Sequence, residues 1–293
     1  MRIWSYVGKT VEQGGWTGVC RFDSLLRLVF PEMQSVTRLP AALGREDVVI
    51  VDNHLSLGVP PGIRTVVVHH GCAATHYDRD PGWRTPQTRQ IVEDQRAMFA
   101  SPGRVWVAPS AWVLGEFSKH GAHQVMKGNA ISGALDMPIA VIPHWVEPIA
   151  LQPEAERLTV IGDWRDSNKG AGVWRKIAEL CPQWEFRPLD FRDDAGRRRQ
   201  YGEASLFLSL SLSEGFNYAM ADAEAAELPI VTTDTGAFME FKDAEVIPWQ
   251  LRDDPGVMAA AIERKLSAGR RLPSFYHNFT FSAWKAAWER AVQ

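Results

Sequence analysis

The sequence predicts an α/β protein made of two doubly wound domains. Short apolar segments rich in β-branched residues recur along the chain, and a turn and a helical pattern follow most of them. Strands of this kind, alternating with helices, are typical of parallel sheets covered on both faces. The chain has 293 residues, which is long for one core and sufficient for two domains of roughly 150 residues each.

The first half of the chain contains one series of these segments. Residues 1–10 include the first expected buried strand, and a helix is expected from Ala111. The other expected strands are residues 47–51, 64–68, 105–108 and 139–142.

A second series follows a polar stretch, residues 151–158, which we interpret as a hinge. Its expected strands are residues 158–161, 185–188, 206–210 and 229–232, and its expected helices are residues 171–180 and 217–227. The predicted domains are therefore residues 1–150 and 151–272, followed by a terminal helix within residues 273–293. Ligands of such sheets bind at the carboxyl ends of the strands.

The composition limits the class of protein. With 45% hydrophobic and 23% charged residues, the chain is typical of a soluble globular protein. A net charge of −3 argues against a nucleic-acid-coating protein. The first ten residues lack the apolar core of a signal peptide, and three widely spaced cysteines suit a reducing compartment. We therefore expect a cytoplasmic protein. Peripheral contact with the inner face of the membrane and the oligomeric state are left open.

The turn between the strand at 206–210 and the following helix is a candidate phosphate site. The amides of Gly215, Phe216 and Asn217 are expected at the positive end of that helix. The alternative is an ordinary strand–turn–helix connection without a ligand.

The residues around this turn resemble the signature of the family-four retaining glycosyltransferases of the GT-B fold (glycosyl transferases group 1). The matches lie in register between residues 213 and 240: Glu214, Gly215, Phe216, Leu228, Pro229, Val231, Thr233, Asp234, Gly236 and Glu240. The resemblance implies two Rossmann-like domains facing each other across a cleft, with the acceptor in the first and the nucleotide sugar in the second. It also implies that the terminal helix, residues 273–293, crosses back to the first domain.

Two positions depart from the family pattern. The second glutamate of the signature, whose implied role is to hold the ribose hydroxyls of the nucleotide, is replaced by Asp222. The arginine expected directly after Gly162 is replaced by Asp163, with Arg165 two positions later, while Lys169 matches the family lysine.

The resemblance also assigns the other donor and catalytic residues. Gly14 and Gly15 lie where the family has a glycine loop under the donor phosphates, and Glu240 corresponds to a residue that helps to hold the donor. The expected donor-binding set is Gly14, Gly15, Arg165, Lys169, Glu214, Gly215, Phe216, Asn217, Asp222 and Glu240. The expected catalytic set is His70, Glu214, Arg165 and Lys169.

The implied reaction is transfer of a sugar, with retention, from a nucleotide-sugar donor to a carbohydrate or lipid-linked acceptor. Fixed cations would neutralise the leaving diphosphate, so neither a metal nor another cofactor is expected. His54, His69, Asp78 and Trp83 are expected on the acceptor side, and His70 is preferred to His69 as the histidine beside the donor.

Other readings of these residues stay open. His69, His70, Cys72 and His76 are a possible zinc set, although adjacent residues of an extended chain point to opposite sides. Asp78-Arg79-Asp80 spells a metal-binding triplet, but it is expected in a loop. The alternative functions are a non-catalytic module that binds nucleotide sugars or glycans, and a sugar-nucleotide epimerase of the same fold.

Overall fold

The computed structural model describes residues 1–10, 18–99, 101, 103–119, 140–150, 158–191 and 193–293. Contacts divide the chain into two compact units, residues 1–144 with 281–293 and residues 145–280. The predicted hinge lies almost wholly outside the described residues, so the boundary near residue 150 stays a prediction. No helix in the described ranges is long and apolar enough to cross a membrane.

The first unit contains a parallel sheet with the strand order β2-β1-β3-β4-β5-β6. The central strands β3 and β4 are buried apolar segments, as expected for a sheet covered on both faces. The strands are β1 Ile3–Tyr6, β2 Gln34–Val36, β3 Val48–Asp52, β4 Arg64–Val68, β5 Arg104–Ala108 and β6 Ala140–Val141. The helices are α1 Gly18–Val29, α2 Ala73–Arg79, α3 Pro86–Met98 and α4 Ala111–Lys119, with 3₁₀ helices at Asn53–Gly58 and Pro81–Trp83.

The second unit contains a parallel sheet with the strand order β11-β10-β9-β7-β8. Two apolar clusters cover this sheet, one around Phe207, Met220 and Phe241 and another around Ile177, Leu208 and Ile262. The strands are β7 Thr159–Gly162, β8 Glu185–Pro188, β9 Leu206–Ser209, β10 Ile230–Thr233 and β11 Glu245–Ile247. The helices are α5 Val173–Leu180, α6 Asp194–Glu203, α7 Tyr218–Ala225 and α8 Pro255–Ala268, with 3₁₀ helices at Gly236–Met239, Trp249–Leu251 and Phe275–His277.

The terminal helix α9 (Phe281–Val292) belongs to the first unit. It buries Trp284 and Trp288, and the Trp288 ring lies 5.2 Å from the ring of Phe22 on α1. These two tryptophans are therefore core residues and not sugar contacts.

The structure corrects the expectation that Asp78-Arg79-Asp80 lies in a loop. Residues 73–79 form α2, and Asp80 is buried, with its carboxylate accepting a hydrogen bond from the Gly82 amide at 2.9 Å. Asp80 thus caps the 3₁₀ helix that follows.

Candidate functional site

The strand order of the second unit reverses between β7 and β9. The chain leaves β7 toward the edge strand β8 and later returns to the other side of β7 with β9. The loops that follow β7 and β9 therefore lie side by side at the carboxyl edge, where doubly wound sheets bind their ligands. Lys169 lies on the first loop and Glu214 on the second.

A group of four charged side chains connects these two loops. The Lys169 ammonium contacts the Glu214 carboxylate and lies 3.6 Å from Oδ2 of Asp163. The Lys169 side chain is only 14% exposed. Burial lowers the pKa of Lys169, but the adjacent Glu214 and Asp163 carboxylates outweigh it, so the pKa is raised and the ammonium stays charged.

Arg165 completes the group through Asp163. Its guanidinium donates to both oxygens of the Asp163 carboxylate, at 2.7 and 2.9 Å, and lies 4.2 Å from the centre of the Phe191 ring. The Arg165 side chain is 50% exposed, whereas that of Asp163 is 5% exposed. The replacement of the family arginine thus places a buried carboxylate between the two cations.

Hydroxyl groups orient the Glu214 carboxylate. Ser211 Oγ donates to Glu214 Oε1 at 2.6 Å, and the Ser211 carbonyl in turn accepts from Thr233 Oγ1 at 2.5 Å. Because Thr233 ends β10, these bonds connect the ends of two neighbouring strands. The carboxylate is therefore held in a fixed position beside Lys169.

Two residues that the sequence analysis did not select hold the loops together. Asn168 exchanges two hydrogen bonds with the backbone of Ser213, both at 3.0 Å. Arg252 is buried and donates to the carbonyls of Ser167, Asn168 and Leu210 at 3.0–3.3 Å. Asn168 precedes the matched Lys169-Gly170 pair and was detectable by its position, whereas no sequence pattern indicates Arg252.

The helix start differs from the expected one. α7 begins at Tyr218, and Asn217 is its N-cap: the Asn217 side chain accepts from the Met220 amide at 3.2 Å, and its carbonyl accepts from Ala221. Asn217 adopts φ 69°, a left-handed conformation that asparagine tolerates. The first-turn amides therefore belong to Tyr218 and Ala219, one residue later than expected, and the donor roles of the Gly215, Phe216 and Asn217 amides stay predictions.

Gly236 of the matched signature is required by close packing. A Cβ at this position would lie 2.9 Å from the Phe216 carbonyl oxygen, and the backbone has φ +65°. The next residue, Ala237, donates its amide to the same carbonyl at 3.0 Å. This contact fixes the 3₁₀ helix that precedes Glu240 against the turn after β9. Glu240 follows that helix in a turn, before β11.

The two acidic residues of α7 have different surroundings. Asp222 is 3% exposed in the middle of the helix. Glu224 forms a bidentate ion pair with Arg270, at 2.7 and 3.1 Å, and accepts from the Phe275 amide at 2.7 Å. Glu224 therefore has a structural role, and the assignment of Asp222 to the ribose stays a prediction.

In the first unit, His54 lies where the strand order reverses between β1 and β3. It is half-buried in the 3₁₀ helix after β3, and burial lowers its pKa despite the nearby Asp94. The preceding Asp52 is an ionisable group that the sequence analysis did not select, and burial raises its pKa to about 7. Gly14 and Gly15, which follow β1 in the sequence, lie outside the described residues.

The two adjacent histidines after β4 point into different clusters. His69 is 2% exposed and packs against the rings of Phe99, Trp106 and Phe117. It belongs to the core, which corrects the expectation that it lines the acceptor side. His70 is half-buried, 4.8 Å from Phe22 and 5.5 Å from His144 between ring centres. Burial lowers the pKa of His70 to about 3, so its imidazole is neutral.

The other residues expected on the acceptor side lie around α2. Asp78 is exposed at the end of the helix. Trp83 is 43% exposed, and its ring stacks on His76 at 4.8 Å between ring centres. Within the described ranges, no three His, Cys, Asp or Glu side chains converge as metal ligands would.

Comparisons with known proteins agree with the predicted family resemblance and fold. Residues 134–268 match the family model of glycosyl transferases group 1. Among curated proteins, no sequence matches the chain significantly.

Solved structures share the fold at low sequence identity. Sucrose-phosphate synthase from Thermosynechococcus elongatus superposes with a TM-score of 0.58 at 16% identity, covering 84% of this chain and 71% of that one. The UDP-forming α,α-trehalose-phosphate synthase from Burkholderia vietnamiensis gives 0.59 at 14% identity, covering 96% and 77%. The corresponding enzyme from Burkholderia xenovorans, in complex with glucose-6-phosphate, gives 0.55 at 15%, covering 86% and 75%. The predicted family resemblance and fold are confirmed: residues 134–268 match glycosyl transferases group 1, and the chain shares the two-sheet α/β fold of these GT-B structures.

Proposed function

We propose that the protein transfers a sugar from a nucleoside diphosphate sugar to a carbohydrate or lipid-linked acceptor. The observation that carries this proposal is the contact between Lys169 and Glu214 at the strand-order reversal of the second unit. A largely buried ammonium at that edge, kept charged by the adjacent carboxylates, can bind a diphosphate, and the Glu214 carboxylate can accept hydrogen bonds from sugar hydroxyls.

The chemistry needs a stabilised leaving group. Departure of the diphosphate develops negative charge, which Lys169 and the first-turn amides of α7 can stabilise without a divalent cation. Arg165 can add a second cation once it leaves Asp163. The related synthases support a donor of this class, since one of them is described as UDP-forming.

We assign the acceptor to the first unit, near His54, His70 and Trp83. His70 is neutral, so it would act by hydrogen bonding to a hydroxyl and not as a cation. A sugar phosphate is one acceptor class to test, because a related synthase was solved with glucose-6-phosphate. Retention at the anomeric carbon rests on the family resemblance. A cytoplasmic location, with contact at the inner membrane face, suits a lipid-linked acceptor.

Donor hydrolysis tests the proposal. Thermal stability of the full chain is first measured with UDP, GDP and ADP, since a ligand at 100 times its Kd adds roughly 2.7 kcal/mol. The glucose conjugate of the nucleotide that binds is then incubated without an acceptor. Slow release of the nucleoside diphosphate is expected. Binding without release would favour a non-catalytic module, and an isomerised donor would favour an epimerase.

A further inference from the structure

Asp163 has no counterpart in the family pattern and lies between the two candidate phosphate-binding cations. Its carboxylate is 5% exposed, receives both hydrogen bonds of the Arg165 fork, and lies 3.6 Å from the Lys169 ammonium. Arg165, Lys169, Asp163 and Glu214 together carry two positive and two negative charges. The group is therefore formally neutral before any ligand arrives.

A neutral group binds a polyanion weakly. A diphosphate that approaches Lys169 gains the attraction of one ammonium, but it is repelled by the Asp163 carboxylate nearby. It also competes with that carboxylate for Arg165, whose guanidinium already has two well-aligned acceptors.

We propose that Asp163 is a specificity-determining residue that weakens the binding of diphosphates in proportion to their charge. Free nucleoside diphosphate carries one more negative charge than the same diphosphate esterified to a sugar. The Asp163 carboxylate therefore disfavours the leaving product more than the donor, which promotes product release. This inference rests on the proposed function, because it assumes that the diphosphate binds at Lys169.

Arg165 is placed to exchange partners. Its side chain is half exposed, and its guanidinium lies over the Phe191 ring at the surface, so it can turn from Asp163 toward a phosphate. Asp163 is held by the fold at the end of β7 and cannot follow. The cation thus moves from a fixed carboxylate to the ligand and returns when the ligand leaves.

The test compares Asp163→Asn with the parent in titrations of the full chain. Asparagine keeps the size of the side chain and removes its charge. We expect the affinity for the best-binding diphosphate of UDP, GDP and ADP to rise about tenfold, as expected for one charge removed a few ångströms away in a partly screened site. The affinity for the matching monophosphate should rise less, and that for the uncharged nucleoside should not change.

Glu185→Gln is a matched control. Glu185 also receives a bidentate guanidinium from the residue two positions later, Arg187, at 2.7 and 2.8 Å, but it lies on β8. Glu185→Gln removes the same charge from the same unit and should leave the affinities for the diphosphate, the monophosphate and the nucleoside unchanged.

The possible results distinguish a failure of this inference from a failure of the proposed function. If the parent binds a diphosphate but Asp163→Asn binds it equally or more weakly, Asp163 positions the cations instead, and the inference is overturned while the proposed function stands. If Glu185→Gln tightens binding as much, the effect is general charge and the inference also fails. If neither the parent nor the variant binds any of the three diphosphates, both the proposed function and the inference are contradicted.

Discussion

The side-chain amide of Asn168 and the backbone of Ser213 exchange two hydrogen bonds of 3.0 Å, although 45 residues separate them in the sequence. Both residues are buried. Because Lys169 follows Asn168 and Glu214 follows Ser213, this pair sets the distance between the ammonium and the carboxylate. The geometry of the candidate donor site therefore depends on a residue that need not touch the ligand.

Removal of this amide should destabilise the protein and disturb the site. Asn168→Ala leaves the amide and carbonyl of Ser213 buried without their partner, so we expect a loss of about 2 kcal/mol in the free energy of unfolding. Urea denaturation of the full chain, followed by fluorescence, measures it. Gln90→Ala is the control, because that amide makes an exposed bond to Asp94 and should cost less than about 0.5 kcal/mol. Equal losses in the two variants would contradict the role given to Asn168.

Asp222 should distinguish ribose from 2′-deoxyribose. If its carboxylate accepts from a ribose hydroxyl, Asp222→Ala should remove a preference of about 1–3 kcal/mol for the ribonucleoside diphosphate over its 2′-deoxy analogue. Asp222→Glu, which restores the family residue, should keep the preference. Competition titrations with the two nucleotides measure it. An alanine variant that discriminates as well as the parent would show that the ribose is bound elsewhere.

The buried His69 imidazole should make the folded protein less stable as the pH falls. Both of its ring nitrogens are buried without a partner among the described residues, and burial, with a smaller effect of His70, lowers its pKa to about 3. In the unfolded chain the imidazole takes a proton near pH 6.5. The unfolded state therefore binds more protons below that pH, and stability falls as the pH decreases toward the folded pKa.

Replacement of His69 by phenylalanine, His69→Phe, tests this coupling. Phenylalanine suits the aromatic cluster and does not titrate, so the stability difference between variant and parent should grow by about 1 kcal/mol per pH unit between pH 6 and 5. Between pH 7.5 and 8.5 the difference should be constant, because the imidazole is neutral in both states. Thermal or urea unfolding across these ranges measures it. A difference independent of pH would contradict the assigned protonation state.

Much of the second unit was predictable, because its strands are continuous apolar runs and its signature residues are local in sequence. Lys169 and Glu214 were both selected from the family signature, whereas their contact is visible only in the structure. The short edge strands β2 and β11 were missed, since three residues carry little periodicity. Arg252 and the burial of His69 were not predictable, because they depend on contacts between residues distant in sequence.

Lys169 is expected to bind the diphosphate of a nucleotide donor without a metal. The most direct measurement is the affinity of the full chain for UDP, GDP and ADP in the presence of EDTA, for the parent and for Lys169→Ala, with the exposed Lys176→Ala as control. We expect that the parent binds one of them, that Lys169→Ala weakens this binding by about 2–3 kcal/mol while binding of the nucleoside is retained, and that Lys176→Ala matches the parent. Binding that requires magnesium or manganese, or that survives the loss of Lys169 unchanged, would contradict it.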